Sequence, residues 1–255
     1  MNLIHNSAVI DKSAEIEDNV EIGPFCIIGP KTVIKKGTKI HGQSVIEYSD
    51  IGSNCEIFNF ASIGKRPQDM KYRGEETRVI VGDSTTVRES VTINRGTAAA
   101  GQTIIGKNCL IMSCGHIAHD CIIGDNVIVG YSTGIAGHVE VSNNVIFSGG
   151  CGVHQFCKIG KLAMISGGTK VTMDVIPYTL VHGDRAVLVG LNTIGMKRNN
   201  MKLSDIEDVK NAYRILFASK LVLEEAVEKL KNLQSPCIKD IVDFIKGSQR
   251  GIVRP

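Results

Sequence analysis

The sequence predicts a mainly β protein, a parallel β-helix built from hexapeptide repeats and followed by a C-terminal α-helical domain. Isoleucine recurs at every sixth position from Ile4 to Ile46, and a second apolar series with this spacing runs, with two interruptions, from Ile51 to Val171. The residue two places before each member of either series is small or medium-sized. After Leu203 the apolar residues adopt helical spacing.

A spacing of six fits neither an α-helix nor an alternating strand, and it is typical of a parallel β-helix. Three hexads form one triangular coil of 18 residues, so each series member becomes an inward-facing anchor. Both series together supply 26 apolar anchors. Beyond the first eight isoleucines, these are Ile51, Ile57, Ile63, Val81, Val87, Ile93, Ile105, Ile111, Ile117, Ile123, Val129, Ile135, Val141, Phe147, Val153, Ile159, Ile165 and Val171.

The position two before each anchor should also face inward, because alternate side chains of an extended rung point the same way. Six of the eight cysteines occupy this position, and only Cys114 and Cys237 lie outside it. Buried free cysteine behaves as a small hydrophobe. We therefore expect reduced core residues and neither metal ligands nor disulfides at Cys26, Cys55, Cys109, Cys121, Cys151 and Cys157.

Two interruptions of the repeat predict loops on a prism of residues 1–190. Between Ile63 and Val81 the would-be anchors are Asp69 and Glu75, and ions cannot fill a dry core. A protruding loop is therefore expected near residues 65–79. A gentler interruption covers residues 94–103, with the sequence NRGTAAAGQT.

Residues 191–255 are expected to form a helical cap, because a solenoid needs its open end covered. Ser204 and Glu207 have the spacing of a capping box at the start of a helix. A second helix is expected over 221–233. Ser235 followed by Pro236 predicts an N-cap and the first helical position of a last helix.

Composition excludes several protein classes. The chain has 255 residues, 43% hydrophobic and 22% charged, with a net charge of only +3. It is therefore expected to be a packed globular protein that does not bind nucleic acid. No apolar run reaches the roughly 18 to 20 residues of a membrane span, and the N-terminus lacks a signal-peptide core. We expect a cytoplasmic protein without membrane insertion.

Histidines cluster along one edge of the predicted prism. Eighteen residues after His119 comes Gly137, beside His138, and 36 after it comes Gln155, beside His154. Successive coils are about 4.8 Å apart, so these residues should stack. The stack is compatible with a divalent metal site, as in the γ-class carbonic anhydrases that share this repeat, or with a general base. Asp120 could orient His119 only if the chain turns there.

Longer motifs carry a family resemblance over essentially the whole chain. HIAHDC at 116–121, AGHVEV at 136–141, VHQFCKIG at 153–160, PQDMKY at 67–72 and GLNTIGMKR at 190–198 resemble bacterial UDP-N-acetylglucosamine O-acyltransferases. That resemblance implies a homotrimer of left-handed prisms with active sites between subunits. It also implies transfer of an (R)-3-hydroxyacyl chain from acyl carrier protein to the sugar 3-hydroxyl, the first step of lipid A biosynthesis. The resemblance implies that the acyl chain is attached to the phosphopantetheine group of the carrier protein. It implies no metal or other cofactor.

The resemblance also assigns roles to individual residues. His119 matches the general base, Asp120 its dyad partner, and the Gly137 backbone N–H an oxyanion donor. Gly167 matches a position that measures acyl length, which indicates a longer chain. Positions that match substrate contacts are Gln68, Asp69, Lys71, His116, His138, His154, Gln155, Asn192 and Arg198.

Several alternatives stay open from the sequence. Ile194 and Asn199 depart from the family pattern, so the acceptor could be UDP-N-acetylglucosamine or its 3-amino analogue. A metal-dependent carbonic anhydrase-like protein, another hexapeptide acyltransferase and a non-catalytic prism are the competing functions. An acidic carrier protein would dock on basic residues, for which the candidates are Lys197, Arg198, Arg214, Lys220, Lys229 and Lys231.

Overall fold

The computed structural model describes all residues from 1 to 255 and contains 28 strands and four helices. In chain order the first fourteen strands are β1 Leu3–Ile4, β2 Val9–Ile10, β3 Glu15–Ile16, β4 Glu21–Ile22, β5 Ile27–Ile28, β6 Val33–Ile34, β7 Lys39–Ile40, β8 Val45–Ile46, β9 Ser49–Ile51, β10 Glu56–Ile57, β11 Ser62–Lys65, β12 Arg78–Val81, β13 Thr86–Val87 and β14 Thr92–Asn94. The other fourteen are β15 Gln102–Ile105, β16 Leu110–Ile111, β17 His116–Ile117, β18 Ile122–Ile123, β19 Ile128–Val129, β20 Gly134–Ile135, β21 Glu140–Val141, β22 Ile146–Phe147, β23 Gly152–Val153, β24 Lys158–Ile159, β25 Met164–Ile165, β26 Lys170–Val171, β27 Thr179–His182 and β28 Val187–Leu191.

These strands form three sheets, because among β1 to β26 each strand pairs in parallel with the strand three places along the chain. The first sheet begins β1-β4-β7 and has eleven strands, the second begins β2-β5-β8 and has nine, and the third contains eight, from β3 to β24. One coil therefore contributes one strand to each face of a triangular prism. The predicted fold class, a left-handed parallel β-helix, is confirmed.

The hexad anchors fill the prism interior. Ile28, Ile63 and Ile117 are fully buried, as are most other anchors, and they belong to one cluster of 41 buried residues. All eight cysteines are free, and the six at inward positions are buried. Burial raises the pKa of the Cys157 thiol to about 11 and keeps it unreactive.

The prism corners bend through residues in the left-handed region. Twenty non-glycine residues have positive φ, and most of them sit at bends between two sheets. Asn and Asp tolerate this conformation best, as Asp120 does, yet Phe60 and Phe156 also adopt it here. The bends determine which corner side chains point outward. Strand alternation in the sequence does not predict these directions.

Both predicted interruptions are loops. Residues 66–77 connect β11 to β12 and leave the prism, with Met70 almost fully exposed. Residues 95–101 connect β14 to β15 and return to the prism immediately. A Cβ at Gly96 would collide with the backbone of Gln102, so the two ends of this shorter loop close only around glycine.

The helices are α1 Thr193–Arg198, α2 Leu203–Phe217, α3 Leu223–Lys231 and α4 Pro236–Lys246. The capping box predicted at Ser204 is wrong. Lys202 is the N-cap of α2 and makes no side-chain cap bond, which places Ser204 inside the first turn. Ser235 as N-cap of α4 with proline at the first helical position is confirmed. No helix is both long and apolar enough to cross a bilayer.

The open end of the prism is closed by two short chain segments as well as by helices. Strands β27 and β28 pair antiparallel and end the coiling. Val253 belongs to the prism core, and its amide donates to the Asp174 carbonyl at 2.8 Å. The helices form a separate cluster of 17 buried residues, which also includes Leu162, Ile176 and Tyr178 of the prism.

Candidate active site

A groove of about 610 Å³ runs across the outer face of the second sheet. Its floor is made by four consecutive strands of that sheet, β17, β20, β23 and β26. Its lining includes six residues that the sequence singled out, namely Gln68, His116, His119, Gly137, His154 and Gln155. Four coils therefore bring these residues together although they are far apart along the chain.

The middle of the groove floor has no side chains. His116, Gly134, Gly152 and Lys170 lie in register on adjacent strands. A Cβ at Gly134 or Gly152 would meet no atom within 4 Å, so packing does not require glycine at either position. The two glycines leave a slot between the His116 imidazole and the Lys170 chain.

His119 stands at the bend between the second and third sheets. Its Nδ1 lies 2.7 Å from Oδ2 of Asp120. Adjacent residues on a strand point to opposite faces, but Asp120 has a φ of 60°, so the chain turns there and the two side chains meet. The turn that the sequence required for this contact is present.

The Asp120 carboxylate is fully buried and satisfied. Oδ1 accepts the Thr97 amide at 2.8 Å, and Oδ2 accepts the Thr97 hydroxyl at 2.7 Å. Burial alone would favour the neutral acid, but the hydrogen bonds from His119 and Thr97 outweigh it and hold the pKa of Asp120 below its usual value. Asp120 is therefore a carboxylate at neutral pH.

A buried carboxylate also fixes the tautomer of its histidine. Because a carboxylate only accepts hydrogen bonds, the proton between the two side chains lies on Nδ1 of His119. The lone pair of the neutral ring is then on Nε2. With 14% of its side chain exposed, His119 lines the groove as a base oriented by its neighbour.

Gly137 lies one coil further along and packs against the His119 ring. A Cβ at this position would come within 2.7 Å of Cε1 and 2.9 Å of Nε2. Only glycine allows this approach. The Gly137 N–H donates to no acceptor of the protein, so it is free for a ligand oxygen beside the imidazole.

Two further histidines line the groove. Nδ1 of His116 lies 2.7 Å from the Thr92 hydroxyl, and burial, followed by the nearby His119, lowers the pKa of His116. Because of its lowered pKa and its contact with Thr92, His116 is a neutral ring with a fixed orientation at neutral pH.

Nδ1 of His154 lies 3.1 Å from the Gln155 carbonyl, which directs its other nitrogen outward.

The structure leaves the remaining predicted site residues outside this groove. His138 lies behind the bend, where its ring stacks on Phe156 at 4.5 Å and its Nε2 is 3.7 Å from Asp120. Gly167 lies at the opposite edge of the second sheet, near Ser148 and Gly149. The others outside it are Asp69 and Lys71 on the 66–77 loop, and Asn192 and Arg198 at the two ends of α1.

Asn192 has a structural task as well. Its Oδ1 accepts the Gly195 amide at 2.9 Å as the N-cap of α1, and its Nδ2 donates to the Leu162 carbonyl at 2.8 Å. Both polar atoms of the side chain are thus engaged within the chain. Arg198 is the exposed last residue of the same helix.

Ligand atoms of His119, Asp120 and His138 lie within 4.8 Å of one another, close enough to consider a metal. The donor set does not favour one. Both Asp120 oxygens already accept hydrogen bonds from Thr97, and Oδ2 also pairs with His119. His154, the third member of the predicted stack, does not belong to this cluster. The geometry is that of an oriented base.

Sequence reasoning missed Gly134, Gly152, Lys170 and Thr97. The two glycines precede the anchors Ile135 and Val153, at an outward position where most hexads carry a larger residue, and this was a readable signal. Thr97 gave no comparable signal, because its contact with Asp120 joins residues 23 apart across a loop.

Three family models match parts of this chain. Residues 174–253 match the family model described as UDP N-acetylglucosamine O-acyltransferase, domain 2. Residues 102–137 match the bacterial transferase hexapeptide model of six repeats, and residues 1–107 match the model of the GMPPB C-terminal domain. These matches fall on the helical end, the coils around His119 and the N-terminal coils, respectively.

Full-length relatives are also similar. The acyl-(acyl-carrier-protein)–UDP-N-acetylglucosamine O-acyltransferase of Thermodesulfovibrio yellowstonii is 46% identical over 258 residues, covering 100% of both chains. The enzyme of the same name from Syntrophobacter fumaroxidans is 42% identical, covering 98% of this chain and 99% of its own. A crystal structure of a UDP-N-acetylglucosamine acyltransferase from Bacteroides fragilis superposes with a TM-score of 0.97 at 43% identity, covering 99% of this chain and 100% of that one.

Proposed function

This chain belongs to the family of acyl-carrier-protein-dependent UDP-N-acetylglucosamine O-acyltransferases, and on that premise we propose how its residues perform the transfer. The chain is an acyltransferase that moves an acyl group from acyl carrier protein to UDP-N-acetylglucosamine, the first step of lipid A biosynthesis. We propose (R)-3-hydroxyacyl as the donor group and the sugar 3-hydroxyl as its acceptor. The observation that carries the mechanism is the buried His119–Asp120 pair beside the free Gly137 amide.

His119 acts as general base in this proposal. Its Nε2 takes the proton of the 3-hydroxyl while the hydroxyl oxygen bonds to the thioester carbonyl carbon. Asp120, held as a carboxylate, stabilises the imidazolium that forms. When the tetrahedral intermediate collapses, its C–S bond breaks, and the leaving phosphopantetheine thiolate receives the proton from His119. The products are the 3-O-acylated nucleotide sugar and free carrier protein.

Gly137 stabilises the charge that develops on the carbonyl oxygen. Its N–H is unpaired in the protein and lies beside the His119 ring. A preorganised donor at that position is worth roughly 10²- to 10³-fold in rate. This chemistry needs no metal, since the base and the oxyanion donor are supplied by the chain itself.

Substrate contacts follow from the groove and the family resemblance. We assign Gln68, Asp69 and Lys71 to the sugar nucleotide, together with three groove residues, His116, His154 and Gln155, and with His138 behind the bend. Asn192 and Arg198 contact the uridine diphosphate end, where a guanidinium suits phosphate. Because Asn192 already caps α1, we expect it to act chiefly by holding that helix.

A homotrimer would bring together residues that one chain keeps apart. Large apolar side chains are exposed at corners of the prism, at Phe25, Phe60, Tyr131 and Phe156, and on its third sheet, at Ile122. Burying them between prisms would also enclose the groove. In that arrangement Gly167 measures the acyl chain. A Cβ there would meet only ordinary contacts, at 3.5 Å from Gly149 O, so its small size is not required by packing.

We further propose that the enzyme acts in the cytoplasm and docks its carrier protein on a basic surface. Eight free cysteines and no disulfide suit a reducing compartment. Lys197 and Arg198 end α1, while Arg214, Lys220, Lys229 and Lys231 lie on or next to α2 and α3. Exposed charges are screened over about 8 to 10 Å at physiological salt, so activity should fall as salt rises.

The test is acyl transfer with purified components. The protein is mixed with (R)-3-hydroxyacyl carrier proteins of several chain lengths and with either UDP-N-acetylglucosamine or its 3-amino analogue, and the products are weighed by mass spectrometry. One added acyl mass on UDP-N-acetylglucosamine supports the proposal. Product only with the amino analogue would change the acceptor, and no product with either acceptor would overturn the proposed function.

A further inference from the structure

We propose that the second loop of the prism, residues 94–103, is a positioning element for both halves of the active site, an inference that rests on the proposed function. Near its start, Thr97 fixes the catalytic pair. Arg95, two residues earlier, fixes the substrate loop, residues 66–77. Neither residue touches the groove, so both act through other residues.

Thr97 donates a hydrogen bond to the catalytic pair, and the direction of this bond is fixed. Its hydroxyl accepts the Ala99 amide at 3.2 Å, so its single proton is free to donate to Oδ2 of Asp120 at 2.7 Å. The Thr97 amide donates to Oδ1, and the backbone amide of Asp120 in turn donates to Thr103 Oγ1 at 2.9 Å. Asp120 Oδ2 is the atom that holds His119. Thr97 therefore sets the position of the base through one intermediate residue.

Arg95 clamps the substrate loop in a comparable way. Its guanidinium donates twice to the Tyr72 hydroxyl, at 3.1 and 3.0 Å, and also to the Gly64 carbonyl at 2.9 Å. It stacks over Tyr48 at 4.2 Å and pairs with Glu47 at 3.3 Å, leaving only 12% of the side chain exposed. The fork of a guanidinium can meet all these partners at once, whereas an ammonium cannot.

The side chain of Asn94 and the backbone amide of Arg95 strengthen this link. Nδ2 of Asn94 donates to the Arg66 carbonyl at 3.2 Å, at the start of the substrate loop. The Arg95 amide donates to the Lys65 carbonyl at 3.1 Å. Gly96 is the only residue between Arg95 and Thr97. A movement of Arg95 is therefore transmitted to Thr97, and the reverse, through a single residue.

The test for Thr97 compares two substitutions of similar size. Thr97→Val keeps the shape and removes the hydroxyl, and Thr97→Ser keeps the hydroxyl. We expect kcat to fall about 10- to 100-fold in the valine variant, the value of one hydrogen bond to a charged group, with KM for UDP-N-acetylglucosamine unchanged. The serine variant should stay within about threefold of wild type. Thr85→Val, which removes a buried hydroxyl bonded to Gly106 O, is the matched control.

A pH profile separates positioning from a general loss of stability. The titratable groups facing Asp120 are His119 and His138. Without the Thr97 hydroxyl, the buried Asp120 carboxylate is more basic, so the His119–Asp120 pair holds its proton to higher pH. The acidic limb of kcat, which reports protonation of this pair, should therefore move to higher pH in Thr97→Val alone. Nitrogen-15 shifts of the His119 ring, which need no turnover, should show loss of the fixed Nδ1–H tautomer.

For Arg95 we expect a change in KM, whereas for Thr97 we expect a change in kcat. Arg95→Lys keeps the charge and loses the fork, so KM for UDP-N-acetylglucosamine should rise about tenfold while kcat changes little. The Tyr72 amide should exchange its hydrogen faster than in wild type. Arg88→Lys is the matched control, because Arg88 also stacks on an aromatic ring, Phe58, and pairs with a carboxylate, Glu89, away from the loop.

The outcomes are separable from those of the proposed function. If wild type transfers acyl groups but Thr97→Val and Arg95→Lys behave like their controls in rate, pH profile, ring shifts and exchange, the positioning inference is wrong and the function stands. If wild type transfers nothing, the function is wrong, and the ring shifts and amide exchange still decide whether residues 94–103 hold the pair and the loop.

Discussion

Residues at one bend of the prism determine whether His119 can serve as a base. The bend at Asp120 lets a buried carboxylate reach the ring, and the absence of a side chain at Gly137 leaves the ring its space. The sequence predicted which coils meet, because the hexad spacing sets the stacking of His119 on Gly137. The spacing alone could not predict the contact with Asp120, which only the family resemblance implied, because the left-handed φ of a corner residue overrides strand alternation.

Gly137→Ala should displace the base without unfolding the protein. The new Cβ would lie within 2.7 Å of the imidazole, so the ring has to leave its position against Asp120. We expect kcat to fall at least about 100-fold, the scale of one lost catalytic group. Steady-state kinetics measures this, with circular dichroism as the check on folding. Gly247→Ala, which has only ordinary contacts at the end of α4, should keep wild-type rates.

Asp120→Asn should destabilise the protein in a pH-dependent way. The folded pKa of Asp120 lies below its unfolded value, so its charge stabilises the fold above the unfolded pKa, and this stability is lost as pH falls through the folded pKa. At neutral pH the variant should lose about 1 to 3 kcal/mol. That gap should begin to close below about pH 4, where the carboxyl of the unfolded chain takes a proton, and should be lost as pH falls through the lower folded pKa. A gap in unfolding free energy that stays constant from pH 7 to 3 would contradict this.

At the level of elements, the hexad pattern predicted strands and loops well and helix ends less well. Each anchor lies in a strand of two to four residues, because the interior is too narrow for alternatives. The start of α2 differed from the prediction, since Leu203 begins the helix one residue before Ser204. Apolar spacing locates the face of a helix, whereas its first residue depends on local dihedral angles.

Helix α4 is fastened to the prism by a buried tyrosine. The Tyr178 hydroxyl donates to Oδ2 of Asp240 at 2.9 Å, and Lys161 pairs with the same oxygen. Tyr178→Phe should lower the free energy of unfolding by about 1 to 2 kcal/mol. It should also speed amide hydrogen exchange in α4 more than in the strands of the prism. Hydrogen exchange with mass spectrometry locates the effect. Tyr131→Phe, at an exposed corner, should leave exchange in α4 unchanged.

At the level of the whole molecule, the prism explains the composition. A narrow interior accepts isoleucine and valine at anchors and small residues between them, which accounts for the 5% aromatic content and the buried cysteines. The sequence predicted this architecture because it repeats. Contacts between subunits carry no such period, and one chain leaves the groove open on its outer side.

We therefore predict that the protein is a trimer in solution. Light scattering should give three times the 27.5 kDa chain mass. Replacing the exposed Phe60 and Phe156 by serine should shift the mass toward that of one chain, because both lose apolar surface that the trimer buries. A wild-type monomer at micromolar concentration that retains full acyl transfer would contradict a site between subunits.

The most direct measurement is the mass of UDP-N-acetylglucosamine after incubation with hydroxyacyl carrier protein and either wild type or His119→Ala. Wild type should add one hydroxyacyl mass to the nucleotide sugar. The variant should be slower by about 10² to 10⁴-fold, the usual contribution of a general base. A His119→Ala protein that forms the same product at the wild-type rate would contradict the assignment of His119 as the base.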